Sequence, residues 1–213
     1  MRAWVFLAVT ACGRIGFEPR GPQACTTVDV ADDFDDGIVS TQWYRYAQST
    51  VGVVETGGQL VITPVADQDG SHYGGYISRA FVDMRDHCIF ATLVATPADT
   101  GAVEMQLAVQ LDTRYTGLSV GNAHLETFTN FDGTPHTLAL TPHDAIAHRI
   151  VRIRESAGTT YWETSPDGAT FTEQHAAATP FDFSAVQVLI QAGTFAAVAN
   201  PGTAVFDDFD TPP

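Results

Sequence analysis

Val103-Glu104-Met105-Gln106-Leu107-Ala108-Val109-Gln110-Leu111-Asp112 decides the fold. Val103, Met105, Leu107, Val109 and Leu111 are apolar, Glu104, Gln106, Gln110 and Asp112 between them are polar, and Ala108 alone departs from the alternation. Successive side chains of a strand point to opposite sides, so a period of two over this length predicts a strand with one face on a core and the other toward solvent. Residues 60–63, 118–120, 125–128 and 138–140 alternate in the same way over shorter spans, and 150–154 interleaves arginine with aliphatics less strictly. Residues 186–190 are almost wholly apolar, which predicts a central strand. Between these runs stand Gly57-Gly58, Asp69-Gly70, Asp132-Gly133, Ala157-Gly158 and Pro166-Asp167-Gly168, the residue types that tight turns require. No window carries an apolar stripe at helical spacing over three turns. The pattern predicts an all-β fold, an antiparallel two-sheet sandwich or jelly roll.

Composition bounds the rest. The chain has 213 residues, 45% of them hydrophobic, enough for one buried core and short of two full domains. Its formal charge is −15, and its ten basic residues are all arginine. An acidic surface with scattered arginines lacks the electrostatic footprint of a nucleic-acid-binding protein, and anionic membrane surfaces repel it.

The first residues combine Arg2, an apolar run from Ala3 to Val9, and a small residue, Ala11, before Cys12. That is the layout of an export signal with a cleavage site. Val9-Thr10-Ala11-Cys12 resembles the lipobox of bacterial lipoproteins. The resemblance implies a signal peptide over residues 1–11, lipid on the Cys12 thiol, and a Gly- and Pro-containing tether over 12–27 that leads into a sandwich domain over 28–213. The alternative is an N-terminal strand with a chance cysteine. The apolar run falls far short of the about 20 residues that span a bilayer, so anchoring falls to acyl chains. Gly13 stands where inner-membrane lipoproteins carry an aspartate, so the resemblance implies the outer membrane of the cell envelope. With Cys12 assigned to lipid, Cys25 and Cys88 remain as a candidate disulfide in an exported protein, the alternative being two buried thiols.

Phe34-Asp35-Asp36, then Trp43, then Gly58-Gln59-Leu60-Val61-Ile62 resemble the opening of concanavalin A-like jelly-roll domains, the superfamily of lectin, laminin-G-like and glucanase folds. The middle is similar too, from His148-Arg149-Ile150-Val151-Arg152-Ile153-Arg154 to Tyr161-Trp162-Glu163-Thr164-Ser165-Pro166-Asp167-Gly168, as is the close, Ala192-Gly193-Thr194 and Phe206-Asp207-Asp208-Phe209. The order of these pieces over most of the chain after Val28 carries the resemblance. Such a fold hosts glycan-binding modules and glycoside hydrolases alike and does not fix function. Jelly-roll glucanases carry a Glu-x-Asp-x-x-Glu strand, because glycosidic cleavage needs two carboxylates flanking the bond. Glu55, Glu104, Glu126, Glu155, Glu163 and Glu173 all lack those partners in sequence.

Candidate sites follow from residue chemistry. Tyr44, Tyr46, Tyr73, Tyr76 and Tyr115 are candidates for stacking on sugars, since tyrosine tolerates a wet surface at one end. Tyr73-Gly74-Gly75-Tyr76 is the most site-like, its glycines letting a ligand approach the backbone; the alternative for each tyrosine is packing or plain loop structure. Trp43 and Trp162 are expected in the core. Asp32, Asp33, Asp35 and Asp36 near the start and Asp207, Asp208 and Asp210 near the end meet if the terminal strands pair. Related jelly rolls hold a structural calcium there, with Asp35 and Asp208 the candidate ligands; the alternative is a solvated acidic edge that discourages aggregation. Gly117-Leu118-Ser119-Val120-Gly121 matches the serine-hydrolase pattern but lies among strands, where a nucleophile elbow has no place. Ser165 to Phe171 resembles the Asp-box of sialidases, one residue short, and reads better as a turn. His136, His143 and His148 match no zinc spacing. The expected function is a lipid-anchored envelope protein with a non-catalytic binding module for glycans. Its rivals are a glycoside hydrolase or lyase with a dispersed site, and a structural or adhesive surface protein whose partner is another protein.

Overall fold

A computed structural model describes residues 25–98 and 100–210. Among them lie two antiparallel sheets of seven strands each and no helix. The first sheet, in spatial order, is Trp43–Ala47 (β1), His72–Ser78 (β4), Gln187–Thr194 (β13), Val103–Leu111 (β6), Arg114–Gly121 (β7), His124–Phe131 (β8) and Thr134–Pro142 (β9). The second is Thr172–Ala178 (β12), Thr159–Ser165 (β11), Ile150–Ser156 (β10), Cys88–Ala95 (β5), Ala204–Asp207 (β14), Leu60–Thr63 (β3) and Gly52–Glu55 (β2). This is the expected all-β jelly roll.

Alternation places the core between the sheets. Met105, Leu107 and Val109 of β6 face Ile153 of β10, Ala91 and Ile89 of β5 and Phe206 of β14 across one continuous apolar cluster. Trp43 and Trp162 are fully buried in it, as expected. The apolar run at 186–190 becomes β13, central in its sheet between β4 and β6. Asp132-Gly133 and Ala157-Gly158 close two-residue hairpins with both residues at positive φ, the geometry that matches strand twist. Asn122-Ala123 does the same without a glycine, with φ of 50° and 60°. Pro135 and Pro142 both fall on β9, an edge strand, where a missing N–H breaks no ladder.

The two ends of the fold meet. Asp32 and Phe209 exchange both backbone hydrogen bonds at 2.9 Å, and the Trp43 indole N–H donates to Asp32 Oδ2 at 2.9 Å. Cys25 and Cys88 are disulfide-bonded, with Cα atoms 5.9 Å apart. Thr26 O accepts from Cys88 N–H, so Cys25 to Thr27 belong to the folded body and not to a tether. Residues 1–24, which include the expected signal peptide and the expected lipidation site Cys12, lie outside the described residues.

The outer face of the second sheet buries charge. Glu163 of β11 pairs with Arg152 Nη2 at 2.8 Å and Arg154 Nη2 at 2.9 Å, every member being 8% exposed. Phe171 and Tyr161 cover the two guanidinium planes at 3.4 Å and 3.9 Å. Nearby, Asp210 is buried with Oδ1 accepting the Phe90 N–H at 2.7 Å and Oδ2 unpartnered. Burial pushes this carboxyl up to about 8, against the pull of the Phe90 hydrogen bond.

Two outcomes follow for stability. Opening the bridge, which closes a separation of 63 residues, by Cys88→Ser costs about 4 kcal/mol in urea denaturation. Asp210 binds its proton more tightly folded than unfolded, so it favours folding at low pH and loses that contribution as pH rises from the ordinary carboxylate range to about 8. The melting temperature of Asp210→Asn therefore falls less than that of wild type between pH 5 and 8, within about that window; equal slopes refute the assignment.

Candidate functional site: a groove across the concave sheet

The residues of the first sheet that turn away from the core line a groove of 1490 Å³ that runs over all seven strands. At the usual inter-strand spacing that is about 29 Å of floor. Register arranges it in rows. Leu189, Ala108, Gly117 and Phe128 are neighbours across β13, β6, β7 and β8, and Ile77 and Tyr44 continue the row over β4 and β1. Ala108, Phe128 and Leu189 form an apolar cluster of their own, apart from the core, with Tyr115 edge-on to Phe128 at 5.7 Å. On one side runs Gln187, Gln110, Tyr115 and Asn130, and on the other Gln191, Gln106, Ser119 and Glu126. An apolar strip is thus flanked by two rows of polar groups.

Glycines set the reach of the tyrosines. Gly75 lies between Tyr46 and Gln191, and the Tyr46 hydroxyl crosses over it to donate to Gln191 Oε1. Gly193 lies between Tyr73 and Glu104, and the Tyr73 hydroxyl crosses it to donate to Glu104 Oε1 at 2.5 Å. A Cβ on Gly75 would stand 2.0 Å from Ile190 O, and one on Gly193 2.7 Å from the Tyr73 ring. Both gaps are occupied by main chain and ring, and no side chain fits.

Glu104 is the centre of the polar network. Its Oε1 also accepts from Gln106 Nε2 at 2.7 Å, and its Oε2 from Ser119 Oγ at 2.5 Å. Burial lifts this carboxyl above the ordinary range, the Ser119 and Tyr73 hydroxyls draw it back, and the Glu126 charge adds to the lift. Burial likewise raises Tyr73 and Tyr46, which stay neutral donors. Glu126 Oε1 accepts from Thr137 Oγ1 at 2.5 Å on the far side of Ser119. Among the described residues one basic side chain lines the groove, Arg79, whose Nε donates to Trp43 O at 2.7 Å and whose guanidinium stands 5.7 Å from the Tyr44 ring centre.

Of the expected sugar-stacking residues, Tyr44, Tyr46, Tyr73 and Tyr115 meet in this groove, with Tyr44 half exposed at 54%. Tyr76 does not. Tyr73-Gly74-Gly75-Tyr76 is part of strand β4 and no loop, and three residues along a strand turn a side chain to the opposite face. Tyr76 is fully buried between the sheets, its hydroxyl donating to Glu55 at 2.7 Å. Ser119 lies within β7 as a partner of Glu104, with no elbow and no histidine on its hydroxyl. Ser165 Oγ accepts from Asp167 N and Gly168 N, as a turn does. The His143 and His148 rings meet at a tilt with centres 5.7 Å apart, while His136 lies against Phe131. Burial is what chiefly raises the Asp207 carboxyl, with the charges of Asp208 and then Asp35 adding to it, so the acidic ends do converge. Among the described residues, however, no three His, Cys, Asp or Glu side chains are arranged to hold a metal ion, and Asp35 and Asp208 gain no third ligand of that kind. Glu104, Gln106, Gln191, Glu126 and Phe128 were not singled out as a site by sequence; alternation marks Glu104, Gln106 and Glu126 as outward, Gln191 and Phe128 carry no such signal, and it is register that gathers them.

The architecture is a concanavalin A-like jelly roll with an open groove on its concave face. No protein-family model matches the chain, and no curated protein matches it. Solved structures do. The β-glucanase of Bacillus licheniformis superposes with a TM-score of 0.61 at 11% identity, over 86% of this chain and 96% of that one. A prokaryotic β-1,3-1,4-glucanase (lichenase) from a mouse hindgut metagenome gives 0.61 at 12% identity, over 86% and 98%. The CBM2 module of the evolved Dit protein of Lactobacillus casei BL23 phage J-1 gives 0.56 at 9% identity, over 86% and 94%. At these identities the likeness is one of fold.

Gly193→Ala tests the floor. It unseats Tyr73 from Glu104 and costs about 1–3 kcal/mol through overpacking, read in urea denaturation together with the loss of the Tyr73 perturbation in a spectrophotometric tyrosine titration.

Proposed function

We propose that the protein binds an extended, neutral glycan along its concave groove without cleaving it, held at the outer membrane of the cell envelope by lipid on Cys12. The observation that carries the reading is the row pattern of the floor: an apolar strip with aromatic ends between two rows of amides and hydroxyls, open over the full width of the sheet. Sugars offer an apolar face and a rim of hydroxyls, and such a floor meets both. The glucanases and the phage module that share the fold lend support by their names. Glu104, Glu126 and Asp132 against the single Arg79 favour neutral glycans over polyuronates. The bond between Cys25 and Cys88 agrees with an oxidising compartment outside the cytosol.

The absence of turnover is inferred from β6. It presents Glu104, Gln106 and Ala108 in succession toward the groove, one carboxylate followed by an amide and a methyl group. The hydrolase reading has one observation in its favour: Glu104 and Glu126 stand on either side of Ser119, so two carboxylates could flank a bond from separate strands.

One experiment separates these readings. The full chain is offered to a glycan array with and without calcium, and every bound glycan is then incubated with the protein and assayed for new reducing ends. Binding of neutral linear glycans without new ends is expected, with Tyr44→Ala weakening it about three- to tenfold. New reducing ends that vanish in Glu126→Gln establish the hydrolase. Silence over the whole array overturns the glycan reading and leaves a protein partner.

A further inference from the structure

The hydrogen bonds on the groove floor run one way. The Tyr46 hydroxyl donates to Gln191 Oε1, Gln191 Nε2 donates to Gln106 Oε1 at 2.5 Å, and Gln106 Nε2 donates to Glu104 Oε1 at 2.7 Å. The Tyr73 and Ser119 hydroxyls end on the same carboxylate. Gln106 and Gln191 are 6% and 9% exposed, so bulk water does not complete their bonding.

An amide side chain can be turned end for end with little change of shape, whereas an ionised carboxylate only accepts. Placed at the end of this chain, the carboxylate obliges Gln106 to point its amide nitrogen at Glu104. Gln106 Oε1 is then left for Gln191 Nε2, and Gln191 Oε1 for the Tyr46 hydroxyl. One charge on β6 therefore orients side chains on β13 and β1 as well. We infer that Glu104 is a positioning residue whose negative charge fixes the donor and acceptor pattern that Gln106 and Gln191 present to a ligand. The inference rests on the glycan reading for the nature of that ligand, while the orientation of the amides needs no ligand.

The groups that face Glu104 allow this role. They are Tyr73 from β4, Tyr115 from β7 and Glu126 from β8, with Tyr46 of β1 beyond Tyr73. None of them is a cation, so the hydroxyl and amide donors alone stabilise the charge. Protonation turns the carboxyl into a donor and removes the constraint on Gln106, and the chain can then run in reverse. Burial makes this happen at milder acidity than for an ordinary glutamate. Binding that depends on the amide pattern weakens there.

The test follows the side-chain amide 15N–1H signals of Gln106 and Gln191 and the carboxyl 13C signal of Glu104 against pH, in the full chain, in Glu104→Gln and in Glu126→Gln. In wild type the three signals are expected to move together with one midpoint above the ordinary carboxylate range. Glu126→Gln keeps that behaviour, and Glu104→Gln leaves the amide signals flat. Amide signals that stay still while Glu104 titrates, or that still move in Glu104→Gln, overturn the inference. In parallel, affinity for a β-1,3-1,4-glucan hexasaccharide and for each neutral glycan bound on the array is measured on both sides of the midpoint. A loss of about fivefold below it, the worth of one hydrogen bond, is expected in wild type and absent in Glu104→Gln. Equal affinity at both pH values overturns the role in binding. If nothing binds at any pH and the signals still move together, the glycan reading falls and the orienting role of Glu104 stands.

Discussion

Two missing side chains hold the concave face together. Tyr46 reaches Gln191, and Tyr73 reaches Glu104, because Gly75 and Gly193 leave the intervening strand bare. Outward side chains on neighbouring strands crowd one another, and a bond between alternate strands is possible where the middle one carries nothing. Remove either gap and a tyrosine lifts into the groove and its partner loses a donor; at Gly193 that partner is the central carboxylate, which loses part of what stabilises its charge. The apolar strip obeys the same constraint: Leu189 and Phe128 close over Ala108 and Gly117, the two smallest residues in their row.

The two sheets treat buried charge in opposite ways. On the second, Glu163 is neutralised twice over by Arg152 and Arg154, and aromatic rings exclude water from the cluster. Such an arrangement is costly to build and strongly resists the loss of one member. On the first, Glu104 has hydroxyls and amides in place of a cation, so its charge is stabilised by dipoles that must be aimed. A paired charge tolerates imprecision in its surroundings, while a charge held by dipoles forces order on them. The ordered set is the one that faces the groove.

Much of the fold was legible because strand alternation is local. Residues 103–111 carry their inward and outward faces openly, and Asp132-Gly133 and Ala157-Gly158 announce hairpins through residue types that accept positive φ. Asn122-Ala123 escaped notice, since alanine gives no such signal. The site was legible in kind and partly in place: Tyr44, Tyr73 and Tyr115 reach the groove. Tyr76 was misplaced by grouping it with Tyr73 around two glycines as one ligand site, although its spacing from Tyr73 already assigns the two rings to opposite faces once the segment is a strand. Glu104, Gln106 and Gln191 could not be found together, because β6 and β13 are far apart in sequence and their register depends on the whole sheet.

The order of the strands also bears on when the molecule can exist. In the second sheet β14, residues 204–207, lies between β5 and β3, and in the first β13, residues 187–194, lies between β4 and β6. Until those late segments have been made, neither sheet has its middle, and the early strands have nothing to pair with across the gap. A chain wired in this way has high contact order and acquires its tertiary structure late. The interleaving that gives the finished sandwich its cohesion is thus also what delays its closure.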